Sequence, residues 1–183
     1  RWDIESDTLR LVAGLRGTFN DYDWEASVQK GRSRSEQSGD QSQGWVRVDW
    51  LQEQIDLGNY NPFGGVTNPQ SVIDEITTSL VRRGESRMTS VDAHITGEAF
   101  DFGDDVVMMA AGVEYREEQV SDVPDVQFQR GLIFGTESVS ASAERDQYAA
   151  YLELSIPLAE ELELQLAGRY DHYSDFGSTT NPK

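Results

Sequence analysis

The sequence predicts an all-β fold, an antiparallel up-and-down meander of about six long strands. Apolar and polar residues alternate with a period of two along much of the chain, which is the period of side chains on a β-strand. The alternating runs come in pairs that are joined by a few turn-forming residues. Longer polar stretches, at about 31–85 and 118–144, separate these pairs.

The first pair of runs predicts a β-hairpin. The odd positions from Leu9 to Phe19 are mostly apolar, and the even positions from Tyr22 to Val28 carry the apolar side chains of the return run. Asn20-Asp21 lies between them, and both residue types tolerate the positive φ that a two-residue hairpin turn requires. One face of this hairpin is therefore expected to be apolar and the other polar.

The same pattern predicts two further hairpins, one in the middle of the chain and one near its end. Each combines two alternating runs with a short connection rich in acidic residues, Gly or Pro. The runs and connections are Val91–Gly97, Asp101–Asp105 and Met109–Tyr115 for the second hairpin, and Tyr148–Ile156, Pro157–Glu161 and Leu162–Tyr170 for the third.

The long polar stretch 31–85 predicts a loop with some structure of its own. Trp45–Trp50 is expected to form a strand within this loop. One segment departs from the β pattern, because Ser71 is a suitable N-cap and carboxylates follow in the first turn. Apolar residues then recur along one side, which predicts a short helix at 71–82.

The lengths of the connections predict where the sheet lies. The connections within hairpins are short and those between hairpins are several times longer, which is the layout of outer-membrane β-barrels. The alternating runs are about ten residues long, as spanning strands require, whereas strands of soluble sheets are usually nearer five or six. The chain is therefore expected to form part of a barrel wall, with periplasmic short turns and extracellular loops at 31–85 and 118–144.

Three stretches carry a resemblance to a known family: Asn59–Gly64, Ala110–Glu118 and Ala167–Lys183. In their order and spacing they resemble the barrel of TonB-dependent outer-membrane receptors, and the recognisable part covers about 59–183. The resemblance implies an active transporter in the outer membrane of a Gram-negative bacterium. Such a protein takes up a scarce nutrient, for example a siderophore, vitamin or oligosaccharide, with energy from TonB.

The chain departs from the family pattern in what it lacks. It has neither the N-terminal plug domain with its TonB box nor the last barrel strands, and six strands cannot close a 22-stranded barrel. The chain stops at Pro182-Lys183, where a further strand is expected to begin. Residues 1–183 are thus expected to be a partial barrel domain. By resemblance, the partners are the TonB complex (through the missing plug), a small-molecule nutrient and outer-membrane lipid.

Four charged residues are predicted on the lumen-facing side of neighbouring hairpins: Glu114, Arg116, Arg169 and Asp171. They either contact the substrate or the plug, or form a charge ladder inside the barrel.

Four aromatic residues of the long loop form a second candidate ligand site: Trp45, Trp50, Tyr60 and Phe63. Their rings suit stacking on sugars or siderophores, or they pack the loop on itself.

Composition excludes several other functions. The formal net charge of −18 repels nucleic acid, and the absence of cysteine excludes disulfides and thiolate chemistry. His94 and His172 have no neighbouring histidine, and no nucleophile elbow or phosphate-binding loop is present. We therefore expect no enzyme, cofactor or metal site. The competing predictions are a soluble all-β module of the carbohydrate-binding kind and a passive porin-like channel.

Overall fold

The computed structural model describes residues 2–40, 44–103, 105–159 and 161–183. Within them it contains nine strands and three helices. The strands are β1 (Trp2–Phe19), β2 (Tyr22–Gly39), β3 (Trp45–Val46), β4 (Thr77–Thr78), β5 (Leu80–Phe102), β6 (Asp105–Val123), β7 (Ala141–Ala159), β8 (Leu162–Tyr173) and β9 (Gly177–Pro182); the helices are α1 (Val48–Asp56), α2 (Gln70–Ile76) and α3 (Val126–Gln129).

The long strands form one seven-stranded sheet in the order β1-β2-β5-β6-β7-β8-β9, while β3 pairs with β4 alone. The predicted all-β meander of about six long strands is thus confirmed, and a short seventh strand, β9, extends the sheet. A further strand was expected to begin only at Pro182-Lys183. In the structure the residues before that point already form β9, which pairs with β8 from Tyr173↔Gly177 to Gly168↔Pro182. Gly177 has φ +92° at the start of β9, a backbone conformation that glycine adopts at little cost.

The hairpin turns lie where the alternation predicts them, but two are tighter. Asn20 has φ 53° in the predicted Asn20-Asp21 turn. The turn predicted at Asp101–Asp105 is shorter, because β5 continues to Phe102 and β6 begins at Asp105; Asp104 lies outside the described residues. In the third hairpin β7 continues through Pro157 with a register shift before Ala159, and Glu160 is also outside the described residues.

The strands extend beyond the apolar alternation, so the connections are shorter than predicted. The first runs over 40–79 rather than 31–85, and the second over 124–140 rather than 118–144. The connection between β8 and β9 spans only 174–176, so it does not share the length of the other two. The added strand ends are mostly polar and lack a regular apolar alternation, and a period-two apolar pattern cannot reveal such a segment.

The chain divides into two compact units. The first, here called the loop unit, comprises residues 2–8, 33–86 and 120–142 of the described chain. Its core is formed by side chains that are at most 9% exposed: Val72, Ile76, Leu80 and Ile133.

Two short backbone pairings organise the connections within the loop unit. Trp45 lies opposite Thr78 in the β3–β4 pair, and Arg47 forms an isolated bridge with Ile133. The Arg47 amide also donates to the Ile76 carbonyl at 2.8 Å. The two long connections therefore fold into one hydrogen-bonded assembly.

The helices of the loop unit correct two predictions. The segment Trp45–Trp50 is a strand only at Trp45–Val46, and α1 begins at Val48 with Asp49 in its first turn, where a carboxylate favours a helix N-terminus. The helix predicted at 71–82 is α2, Gln70–Ile76. It ends early because Thr77 is extended (φ −101°, ψ 153°) and begins β4. The short helix α3 was not predicted.

The second unit, here called the hairpin unit, comprises residues 9–32, 87–119 and 143–183. Its best-defined pair is β7–β8, which remains in register from Gln147↔Tyr173 to Pro157↔Glu163. Opposed residues of an antiparallel pair lie on the same face of the sheet. The register therefore defines two faces, one carrying the predicted apolar residues and one carrying the predicted polar residues.

Candidate ligand-facing site

The two faces of the β7–β8 hairpin have opposite chemistry, and the apolar face is the exposed one. Leu152 lies opposite Gly168 and Leu154 opposite Leu166 on the apolar face. Leu152 is 47% exposed and Leu166 46%. On the polar face, Ala149 lies opposite Asp171, and these two residues are only 6% and 5% exposed. This distribution is the reverse of that expected for a sheet covering a soluble core.

The four predicted lumen-side residues come together in one ionic network. Arg169 lies between two carboxylates, with its guanidinium 2.9 Å from Asp171 and 3.4 Å from Glu114. Glu114 also accepts from Arg116 at 2.5 Å. A second carboxylate, Glu118, lies 3.8 Å from Arg116. The network alternates in charge across β6 and β8, so each cation is shared between carboxylates.

Asp171 is the most buried member of this network. Its side chain is 7% exposed, and its carboxylate accepts from Arg169 Nε at 3.0 Å and from Gln147 at 3.4 Å. A buried carboxylate is costly unless it is paired and hydrogen-bonded. Arg169 therefore pairs with the Asp171 carboxylate, and the two groups fix each other's position on the polar face.

One aromatic ring of the polar face lies over a glycine of the neighbouring strand. A Cβ added to Gly112 would stand 2.4 Å from Tyr151 Cε1 and 2.7 Å from its hydroxyl oxygen. Tyr151 lies opposite Arg169 in β7–β8, so its ring connects the ionic network to β6. Glycine at position 112 is required for this approach, and its role is one of space rather than of backbone conformation.

The predicted aromatic residues of the loop unit separate into two kinds. Trp45 and Trp50 are half-buried and pack within the loop unit. The Trp45 ring meets Phe128 edge-on at 5.5 Å, and the Arg47 guanidinium lies 4.4 Å from the centroid of Trp50. Both rings therefore take part in loop packing.

Tyr60 and Phe63 lie in a separate turn of the loop unit. Tyr60 is half-buried, whereas Phe63 is 94% exposed. Asn61 shapes the turn, since its side chain accepts from the Phe63 amide at 3.0 Å and donates to the Gly64 carbonyl at 2.9 Å. Asn68 fixes it from the other side by donating to the Asn61 carbonyl at 3.1 Å. These hydrogen bonds hold the exposed ring of Phe63 in a defined position.

Arg47 is the central polar residue of the loop unit, and its role was not predicted. It is hydrogen-bonded to Asp49 and donates to Gln127 at 3.1 Å. The hydrogen bond from Arg47 holds the pKa of Asp49 below its ordinary value, against the opposing effect of desolvation. Nothing in the local sequence distinguishes Arg47 from the other arginines of the chain, because its partner Gln127 is distant in the chain.

A second unpredicted cluster lies at the β8–β9 turn. Arg145 pairs with Asp175 at 2.7 Å, and this hydrogen bond holds the pKa of the Asp175 carboxyl below its ordinary value. The guanidinium lies 5.3 Å from the ring of Phe176, which in turn stacks on Tyr173 at 4.3 Å. The Tyr-Ser-Asp-Phe-Gly run is thus explained as an aromatic turn closed by an arginine from β7.

The described part of the chain has no group of three or more metal-ligating side chains in a suitable arrangement. None of the helices in these ranges has the length and apolar character needed to cross a bilayer.

Of the comparisons with known proteins, the one with protein families gives a match. A model of the TonB dependent receptor-like β-barrel family matches residues 1–183, the full length of the chain. No curated protein matches it. Barrels of this family serve transport at the outer membrane of Gram-negative bacteria and are not enzymes. The match covers every strand described above, and the chain belongs to the TonB-dependent receptor-like β-barrel family.

Proposed function

We propose that this chain forms part of the wall of an active transporter in the outer membrane of a Gram-negative bacterium. The transporter admits a scarce nutrient, such as a siderophore, a vitamin or an oligosaccharide, with energy relayed by TonB through a plug domain. Family membership supports the transport role. The exposed apolar face of the sheet supports its placement in the membrane.

The observation that carries the proposal is the exposed apolar face of the hairpin unit. Tyr148, Leu164 and Tyr170 share this face with Leu152, and they are 52%, 40% and 46% exposed. Exposing apolar area to water costs about 25 cal/mol per Å², whereas contact with lipid carries no such penalty. A hydrocarbon environment on this side therefore accounts for the distribution of side chains.

The opposite, polar face then faces the barrel lumen, which contains the plug and through which the ligand is transported. Glu114, Arg116, Arg169 and Asp171 form this charged surface and are proposed to contact the ligand or the plug. The alternating charge suits a polar ligand bearing both donors and acceptors. Phe63 is exposed in the turn that Asn61 shapes. It is proposed as an extracellular ligand contact, because aromatic faces stack on sugars and planar ligands.

Uptake measurements in isogenic strains test the function. The full-length protein is expressed with and without TonB, and uptake of a labelled siderophore, cobalamin and oligosaccharide is measured at nanomolar concentration. Uptake of one of them is expected to require both proteins. Uptake that persists without TonB would indicate a passive channel, and recovery of the protein in the periplasmic soluble fraction would indicate a soluble binding module.

Substitution of Arg169 tests the lumen surface separately. Arg169→Met removes the cation between Glu114 and Asp171, and uptake is expected to fall while the amount of folded receptor in the outer membrane stays measurable. Arg10→Met is the matched control, since Arg10 lies on β1 and donates only to Gln29 among its described side-chain bonds. Equal uptake by both variants, at equal receptor amount, would exclude Arg169 from the ligand path.

A further inference from the structure

The polar face of the hairpin unit ends in a group of four residues, here called the aromatic cluster: Arg145, Tyr173, Asp175 and Phe176. Tyr173 lies opposite Gln147 in the β7–β8 pair, on the face that carries Asp171, since side chains alternate along a strand. Gln147 donates to Asp171 at 3.4 Å and to the Tyr173 hydroxyl at 3.2 Å. The aromatic cluster is therefore continuous with the ionic network around Arg169.

The ring of Phe176 has one covered face and one open face. It stacks on Tyr173, with 4.3 Å between the ring centroids and 22° between the ring planes. Phe176 is nevertheless 65% exposed, so the face that points away from Tyr173 is open. A ring that is already held by a stacked neighbour loses little freedom when a ligand covers its other face.

Arg145 lies beside both rings and keeps hydrogen-bond donors for a ligand. Its guanidinium carbon lies 5.3 Å from the Phe176 centroid and 5.9 Å from the Tyr173 centroid. Nε and Nη2 donate to one oxygen of Asp175 at 2.9 and 2.7 Å, whereas Nη1 has no hydrogen-bond partner within the part of the chain that the structure describes. Since a guanidinium carries its N–H donors in one plane, the salt bridge also fixes the direction of the donors on Nη1.

The charges around the aromatic cluster favour an uncharged ligand. The ionic network and the cluster contain three guanidinium groups, those of Arg116, Arg145 and Arg169, and each pairs with a carboxylate. Four carboxylates take part in these pairs, in a chain whose formal net charge is −18. An anionic ligand would have to compete with the carboxylates for the cations, whereas a neutral ligand leaves the pairs intact.

We propose that the aromatic cluster is a binding subsite for a neutral sugar, with a pyranose ring stacked on the open face of Phe176 and its hydroxyl groups accepting from Arg145 Nη1. A pyranose presents an apolar face of C–H groups and an edge of hydroxyl oxygens, which matches an aromatic face beside planar donors. This inference rests on the proposed function, because it assumes that the polar face lines the ligand path. It names neutral oligosaccharides as the class of nutrient.

Isothermal titration calorimetry of the full-length protein, in a polyoxyethylene detergent without sugar headgroups, tests the subsite. The probes are maltotetraose, cellotetraose and xylotetraose, and ferric citrate is the anionic comparison. At least one tetrasaccharide is expected to bind, and ferric citrate is not. Phe176→Leu is expected to weaken the binding about three- to tenfold. The matched control is Phe19→Leu, because Phe19 is 68% exposed but lies at the β1–β2 turn; it is expected to bind as the wild type does.

Arg145→Lys separates recognition of hydroxyl groups from attraction of charge. It keeps a cation beside Asp175 but removes the planar donors, so the affinity for the sugar is expected to fall about three- to tenfold. This variant also serves if Phe176→Leu does not assemble. Affinity that is unchanged in both variants would overturn the proposal and leave the cluster a structural turn. Binding of ferric citrate without any of the tetrasaccharides, or of none of the probes, would overturn it as well.

TonB-dependent uptake of the same probes distinguishes the two proposals. Sugar binding that is weakened by Phe176→Leu, without TonB-dependent uptake of that sugar, would contradict the transporter and support the subsite. TonB-dependent uptake of ferric citrate, without sugar binding, would support the transporter and overturn the subsite.

Discussion

Leu152→Arg places a cation on the apolar face of β7, and its cost can be reasoned from the structure. Leu152 is 47% exposed and lies opposite Gly168, which has no neighbouring atoms within 4 Å on that side. The new guanidinium would find no carboxylate there. Arginine on the lipid face of a barrel costs about 2–4 kcal/mol near the bilayer midplane, which lowers the equilibrium constant for folding roughly 30- to 900-fold.

Folding of the full-length protein into lipid vesicles measures this cost. Urea titrations followed by the heat-modifiable gel shift give the free energy of unfolding for wild type and variant. The controls are Glu153→Gln and Glu153→Arg, because Glu153 is the next residue along β7 and lies on the polar face opposite Ala167. Both are expected to stay within about 1 kcal/mol of wild type. An equal loss in Leu152→Arg and Glu153→Arg would refute the assignment of the two faces.

Two further predictions concern packing and pH. Gly112→Ala is expected to displace the ring of Tyr151 and destabilise the folded protein by about 1–3 kcal/mol; urea titration should show that much of this loss disappears in Gly112→Ala/Tyr151→Ala, and additive losses would contradict the contact. The pKa of Asp49 is lowered by Arg47, so the stabilisation from this pair is present above the ordinary carboxyl pKa and is lost as pH falls through the lower, folded value. The fluorescence of Trp50, which lies beneath Arg47, should therefore change only below about pH 4, whereas Asp49→Asn should show the change already at neutral pH.

The spanning hairpins could be predicted from sequence because each strand there has one apolar and one polar face. The β7–β8 register bears this out, with Ile156 opposite Leu164 and Ser155 opposite Gln165. The alternation alone also placed Glu114 and Arg169 on one face, and the structure brings them to 3.4 Å. Period-two reasoning therefore succeeds wherever the two sides of the sheet meet different environments.

The strand ends could not be predicted because they are mostly polar and lack a regular apolar alternation. Residues 33–39 resemble a low-complexity loop, yet they form the end of β2. Cross-strand ion pairs hold them, with Arg34 3.1 Å from Glu85 and Arg83 2.9 Å from Glu36. Such pairs depend on the partner strand, and no pattern within one strand reveals them.

The loop unit shows a third limit of sequence reasoning. Its helix α1 begins where alternating Val46, Arg47 and Val48 favour a strand. At this boundary the amides of Arg47 and Val48 donate to the carbonyls of Ile76 and Leu132, at 2.8 and 2.9 Å. The backbone here is thus held by partners that are distant in the chain, and the local sequence does not reveal them.

The orientation of the sheet in the membrane is the central claim, and site-directed spin labelling measures it directly. The chain has no cysteine, so residues 162–170 of β8 can each be replaced by cysteine and labelled in the full-length protein, after any cysteine elsewhere is removed. In lipid vesicles, collision with oxygen should peak at Leu162, Leu164, Leu166 and Tyr170, and collision with a polar nickel chelate should peak at Glu163, Gln165 and Arg169. A profile without alternation, or with the opposite phase, would contradict a sheet whose apolar face contacts lipid.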